Sequence, residues 1–153
     1  MRRVLATAPS LGRSIVENVK DGLGMAGAIL PSILSIGLAG LLLAKHTPVF
    51  DWLGWIFRPF TVFLPEPALA AKASAVGIAE MFLPATVVAA EGSMVTKFVI
   101  GVVAVSAIIF FSALVPCIVA TEIPVSVPQL VIIWFERVAL TLLITTPIAY
   151  LVT

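Results

Sequence analysis

The stretch Lys72-Ala-Ser-Ala-Val-Gly-Ile-Ala-Glu80-Met-Phe-Leu-Pro84 is apolar, carries a carboxylate in its middle and ends on a helix breaker. A second stretch, Ser112-Ala-Leu-Val-Pro116-Cys-Ile-Val-Ala-Thr-Glu122-Ile-Pro124, reads in nearly the same way. Proline removes a backbone donor and interrupts a helix interior. A carboxylate in an apolar run needs a hydrogen bond or a counter-charge. Both stretches therefore predict places where backbone and charge are satisfied away from bulk water, and where a substrate would sit.

The rest of the chain says what excludes the water. Of 153 residues, 61% are hydrophobic and 11% charged, against about 45–50% and about 25% in soluble domains. The composition predicts an all-α, polytopic integral membrane protein with the lipid bilayer as its first partner. The net charge of +1 comes with no basic cluster interleaved with aromatics, so nucleic acid is not expected. The single Cys117 excludes an internal disulfide and a cysteine metal cage, and in its apolar run reads as a packing residue. No metal, cofactor or enzymatic activity is expected. The chain has no His-Glu-x-x-His, Gly-x-Ser-x-Gly or Cys/His constellation.

Residues 1–21 read as an N-terminal interfacial segment, and 22–153 as the transmembrane domain. Only five residues separate Arg3 from Pro9, fewer than the roughly 7–15 of a secretory apolar core, so no cleaved signal is expected. The start fits a boundary within a longer chain equally well. Ile15, Val16, Val19 and Leu23 mark a short amphipathic helix at the interface. Arg2, Arg3, Arg13 and Lys20 precede the first span, which predicts a cytoplasmic N-terminus in a multi-pass cell-membrane (inner-membrane) protein.

Residues 22–44 are uncharged and, at about 1.5 Å per residue, long enough for a hydrocarbon core of about 30 Å. Gly24, Ala28, Ser32, Ser35 and Ala39 form a small-residue seam that predicts close helix packing. Pro31 beside it predicts a kink. Asp51, Trp52, Trp55, Phe57, Arg58, Phe60 and Phe63 predict an interfacial helix over 49–57, broken before Pro59. Pro65-Glu66-Pro67 is a turn. Residues 68–90 then read as a helix interrupted at Pro84, spanning or re-entering. Ala73, Gly77, Glu80 and Pro84 share one face, so the carboxylate faces small residues rather than lipid. Lys72 lies about 12 Å along the helix from Glu80, too far for a direct pair.

Residues 98–121 are again uncharged, with Pro116 near the end, and Glu122 to Pro128 breaks the chain. Ser126, Pro128 and Gln129 suit a helix start with a weak capping box. The last helix, 127 to about 152, carries Glu136 and Arg137 at its middle. Arg137, Thr141 and Thr145 make a polar stripe that predicts packing into the protein. The sum is about four to five membrane segments, some of them Pro-broken or re-entrant.

A charged side chain at a helix centre costs roughly 2.5–3.5 kcal/mol on insertion scales. Compensation is expected from a pair, for example Arg137 with Glu80 or Glu122. Two Pro-broken segments in corresponding halves point to a transporter midplane site, although their internal likeness is slight. The candidate substrate-binding residues are Glu80, Glu122, Thr121, Ser74, Gly77 and Arg137, with helix breaks at Pro84, Pro116 and Pro124.

Leu30-Pro-Ser-Ile, Thr47-Pro-Val-Phe-Asp-Trp-Leu-Gly, residues 71–84 and Ala120-Thr-Glu-Ile-Pro124 resemble the nucleoside-recognition, or Gate, domain family. They look most like its YjiH-type branch. The likeness covers about residues 20–153. The family also includes the spore maturation proteins A and B and the gate domains of nucleoside and ferrous iron transporters. The resemblance implies a helix-and-hairpin architecture with Glu80 and Glu122 near broken segments. A Thr-Glu-x-Pro element like 121–124 lies at a substrate-facing hairpin in nucleoside transporters. The resemblance further implies a small, polar, nucleoside-like solute and a second Gate unit, supplied by a homo-oligomer or a paired subunit. The chain lacks the phosphate-binding loop of a GTPase and the full polar set of a nucleoside site. Two functions follow: a transporter or channel subunit, or a structural protein that assembles with a Gate partner and moves nothing.

Overall fold

The structure, a computed structural model, describes residues 11–120 and 124–153. Thr121 and Glu122 lie outside the described residues, as do Arg2 and Arg3. The described residues are mostly helical and contain no strand. Helices are numbered in chain order. They are α1 (Leu11–His46), α2 (Val49–Gly54), α3 (Arg58–Thr61), α4 (Pro67–Val76), α5 (Leu83–Ala89), α6 (Met94–Ala107), α7 (Leu114–Ala120) and α8 (Val127–Val152). A 3-10 turn, Trp55–Phe57, joins α2 to α3.

The chain divides into two units, one ending at Pro31 and the other running from Ser32 to Thr153. Helix α1 is 36 residues long, about 54 Å. It passes through residues 21–22 and Pro31 without interruption. In the first unit Arg13 Nε donates to Glu17 at 2.8 Å and Asn18 Nδ2 donates to the Ser14 carbonyl at 2.8 Å. Both contacts are exposed and join residues four apart, and the Arg13–Glu17 pair adds a few tenths of a kcal/mol. Helices α1 and α8 are each long and apolar enough to cross a membrane. At 14 residues, about 21 Å, α6 is not.

The core of the second unit is α6 against α8. Val99, Ile100 and Val103 on α6 and Val138, Leu142 and Ala149 on α8 are each exposed by 1% or less. The aromatic segment joins this core instead of lying wholly in an interface. Phe57 is buried, with its ring edge-on to Trp134 at 5.4 Å and tilted against Phe135 at 5.3 Å. Trp52, Trp55 and Phe63 do stay exposed, and Arg58 lies over the Trp55 ring at 5.5 Å. The expected helix over 49–57 is α2 followed by the 3-10 turn, and a new helix starts at Arg58, just before Pro59. Pro59 sits in the first turn of α3, where its missing N–H would have had no helical partner.

Helix α4 packs on α2. A Cβ at Gly54 would stand 3.1 Å from the Ala71 backbone, so glycine suits this close approach and a side chain would crowd it. Lys72 Nζ pairs with Asp51 at 3.0 Å. Glu66, just before α4, accepts hydrogen bonds from the Ser93 hydroxyl (2.9 Å) and the Thr96 hydroxyl at the start of α6. These donors, Thr96 first, hold the Glu66 carboxyl below its ordinary pKa. Ser93 itself caps α6 by accepting from Thr96 N at 3.3 Å. At the start of α8, Gln129 Oε1 accepts from Ser126 N at 2.9 Å, the capping contact anticipated from sequence.

Candidate functional site

Two interruptions of the helical backbone meet inside the second unit. The first occupies residues 77–82, between α4 and α5. The second occupies 108–113, between α6 and α7. Phe111 N donates to the Ile78 carbonyl at 2.8 Å, and Ser112 N donates to the Ala79 carbonyl at 3.0 Å. Each break thus supplies hydrogen-bond partners that the other lacks. This is how non-helical backbone is tolerated where water is excluded.

The prolines lie one step downstream of their expected role. Pro84 is in the first turn of α5, and Pro116 is the third residue of α7. In a helix's first turn the absent donor is harmless and the fixed φ is favourable. They start the helices that follow the breaks. Pro124 does lie in non-helical backbone, just ahead of α8.

The first break holds Glu80. Ala73, Gly77, Glu80 and Pro84 are all buried, but not as one helix face, because the helix ends at Val76 and 77–82 is non-helical. Glu80 is 6% exposed, and its Oε2 accepts from Phe82 N at 2.7 Å. The carboxylate thereby satisfies an amide at the entry to α5. A Cβ at Gly77 would lie 3.2 Å from Pro84 Cγ, so the absent side chain lets Pro84 fold back over the end of α4. Ser74 is fully buried, and its hydroxyl donates to the Ala70 carbonyl at 2.9 Å.

Helix α1 closes over this break through Gly37 and Gly40. A Cβ at Gly40 would be 3.0 Å from both Ala79 Cβ and Leu83 Cδ1, and one at Gly37 would be 3.5 Å from Glu80 Cγ. Within the second unit this contact comes from Gly37 and Gly40 and not from the Ser35 and Ala39 part of the expected seam. Ser35 and Ala39 are exposed, and a Cβ at Gly24 would meet nothing. A helix this rich in small residues offers several such stripes, and packing selects the one opposite Ala79.

The second break begins at Ile108, with φ 60° and ψ −43°. Ile109 N donates to the Ala107 carbonyl at 2.6 Å. This is a γ-turn with positive φ, a strained form even before the β-branch of Ile108 is considered. Ser112, further along, is fully buried, and its hydroxyl has no hydrogen-bond partner. Buried hydroxyls are rarely left so.

Arg137 does not pair with Glu80. Its Nε and Nη2 donate to the Ser106 carbonyl at 3.0 and 2.8 Å, and the Ser106 hydroxyl meets Thr141 Oγ1 at 2.9 Å. The carbonyls of a last helical turn have no intrahelical donors and carry the negative end of the helix dipole. Arg137 serves one of them, just before the break. The polar stripe thus faces α6, and Thr145 below it is buried. Glu136 is exposed.

Among the described residues, no cluster of three or more His, Cys, Asp or Glu is placed to hold a metal ion. An open cleft of about 540 Å³ runs beside α1, α4 and α5, with Lys45, Lys72, Thr86 and Glu91 on its walls. An apolar cleft of about 460 Å³ lies between Phe60, Phe63 and the Leu142–Tyr150 part of α8. The structure therefore brings Ser74, Gly77 and Glu80 to one break and adds Ser112 beside them. Arg137 belongs to the flank of the other break.

The chain is 33% identical over 147 residues to an uncharacterised protein of Alkalihalophilus pseudofirmus. The match covers 93% of this chain and 32% of that protein, so the chain spans about a third of the length of the curated relative it matches. No family model matches the chain, and no solved structure matches it.

Proposed function

We propose that this chain is a Gate-type subunit of a membrane transporter or channel for a small polar solute, nucleoside-like by its sequence resemblance. Its site would be the crossing of the two breaks. The observation that carries this reading is the pair of interrupted segments sharing backbone hydrogen bonds beside a buried carboxylate and an unpartnered buried hydroxyl. Interrupted helices at the membrane midplane are the usual setting for solute and ion sites in transporters. In this reading α1 and α8 span the bilayer, α4–α5 and α6–α7 are two broken segments, and α2–α3 lies near the interface, giving four membrane segments. Glu80 and the Ser112 hydroxyl contact the solute, and Gly77 and Ser74 shape the wall. Thr121 and Glu122 join from the hairpin that the resemblance implies.

A second reading is favoured by one observation. Glu80 and Arg137 both serve backbone groups at helix ends, as they would in an assembly protein that moves nothing. A thermal-shift screen of the detergent-purified protein against nucleosides, bases, amino acids and small cations separates the two. Ligand at 100-fold its dissociation constant adds about 2.7 kcal/mol of stabilisation. Transport predicts a rise in the unfolding midpoint that Glu80→Gln abolishes while remaining folded. A flat response to every compound favours the assembly role.

A further inference from the structure

The exposed face of α8 carries a charge that lipid does not accommodate. Ile133, Leu140, Ile144, Pro147 and Leu151 are all exposed. At about 100° per residue they fall on one line along the helix. Glu136 and Arg137 flank that line at about 50° on either side. Both are exposed. Arg137 also holds the Ser106 carbonyl, whereas Glu136 has neither an ion pair nor a hydrogen bond among the described residues. A 26-residue helix is about 39 Å long, so centring it in a core of about 30 Å places Glu136 about 9 Å inside.

We propose that a second copy of this chain packs along this line, α8 against α8 in parallel, with Glu136 of each copy against the partner's Arg137. The charge pattern selects this occupant. A two-fold axis along the membrane normal keeps both residues at the same depth. It sets each Glu136 opposite an Arg137, and like charges on opposite sides of the seam. An apolar ridge bordered on one side by a carboxylate and on the other by a guanidinium is complementary to itself. Arg137 reaches the seam while holding Ser106, because it stands between the seam and α6.

Disulfide trapping in lipid vesicles tests the interface. The 153-residue chain with Cys117→Ser would carry either Leu140→Cys, on the seam, or Val105→Cys, on the exposed face of α6. Oxidation is expected to yield a covalent dimer from Leu140→Cys and little from Val105→Cys. Adding Glu136→Lys sets like charges across the seam and is expected to lower the Leu140→Cys yield about tenfold. If that variant does not fold, Glu136→Gln takes its place and should lower the yield in the same direction. Equal trapping at both positions, no trapping at Leu140→Cys, or a yield that Glu136→Lys or Glu136→Gln leaves unchanged would each overturn the proposal.

Discussion

The two breaks share backbone hydrogen bonds, yet they are held by different means. At 77–82 the carboxylate of Glu80 turns back on its own segment and takes the amide of Phe82, two residues away. At 108–113 the chain is held from outside, by a guanidinium from α8 placed on the Ser106 carbonyl. The first break is relaxed at its turn residues and closed over by glycines of α1. The second stores strain at Ile108 and keeps an unsatisfied hydroxyl at Ser112. A locally capped break persists if its neighbours move. A break capped by another helix responds to that helix.

The largest expected effect comes from removing the remote cap. Arg137→Ala leaves the Ser106 carbonyl without its charged donor, which costs roughly 2–3 kcal/mol. Hydrogen exchange should show protection lost across 108–113 and retained across 77–82, and equal loss in both would erase the distinction. Glu80→Ala exposes the opposite dependence. It orphans the Phe82 amide at a cost of about 1–2 kcal/mol, while Glu80→Gln, which keeps an acceptor, should cost less in the same unfolding measurement. Gly40→Ala probes the closure over the first break. Its Cβ would meet Ala79 and Leu83 at 3.0 Å, and this crowding, about 1–3 kcal/mol, is offset by about 1 kcal/mol of helix propensity, so thermal unfolding should show a smaller loss than Glu80→Ala. Ser112→Ala has the smallest predicted effect on stability, neutral or slightly stabilising, because the lost hydroxyl has no protein partner. It should still abolish any ligand-induced shift, and an unchanged shift would remove Ser112 from the site.

A pH-dependent effect lies away from both breaks. The Glu66 pKa is lowered in the folded chain, so its contribution is complete above the unfolded-state value, about 4.3. Stability is lost as the pH falls through the lower folded value. Glu66→Gln should flatten the unfolding midpoint across that acidic window.

Glu80 is legible as an inward-facing carboxylate because a charge in an apolar chain has few other places to go, but of the four spaced residues only Ala73 lies on α4, and Glu80 sits in the break that follows it. The sequence misplaces both breaks because proline has two uses, ending one helix and opening the next, and the surrounding residues suit either. The turn at Ile108 carries no glycine or asparagine to mark it. Arg137 suggests a carboxylate partner, and the structure gives it a carbonyl. Backbone acceptors exist at every position, so no sequence pattern singles one out. Ser93 caps α6, but nothing in the sequence ties it to Glu66, 27 residues away, so the role of Glu66 is visible only in the structure.

The hydrogen bonds from Phe111 and Ser112 to Ile78 and Ala79 bear on how the protein is made. In the membrane topology proposed above, the earlier segment would not be released into lipid by itself, since each orphaned carbonyl there would cost several kcal/mol. It would wait at the insertion machinery, a few seconds at ordinary elongation rates, until the later segment arrived. The two would then enter as one unit. A substitution that delays the second half would therefore lower yield without altering the finished protein.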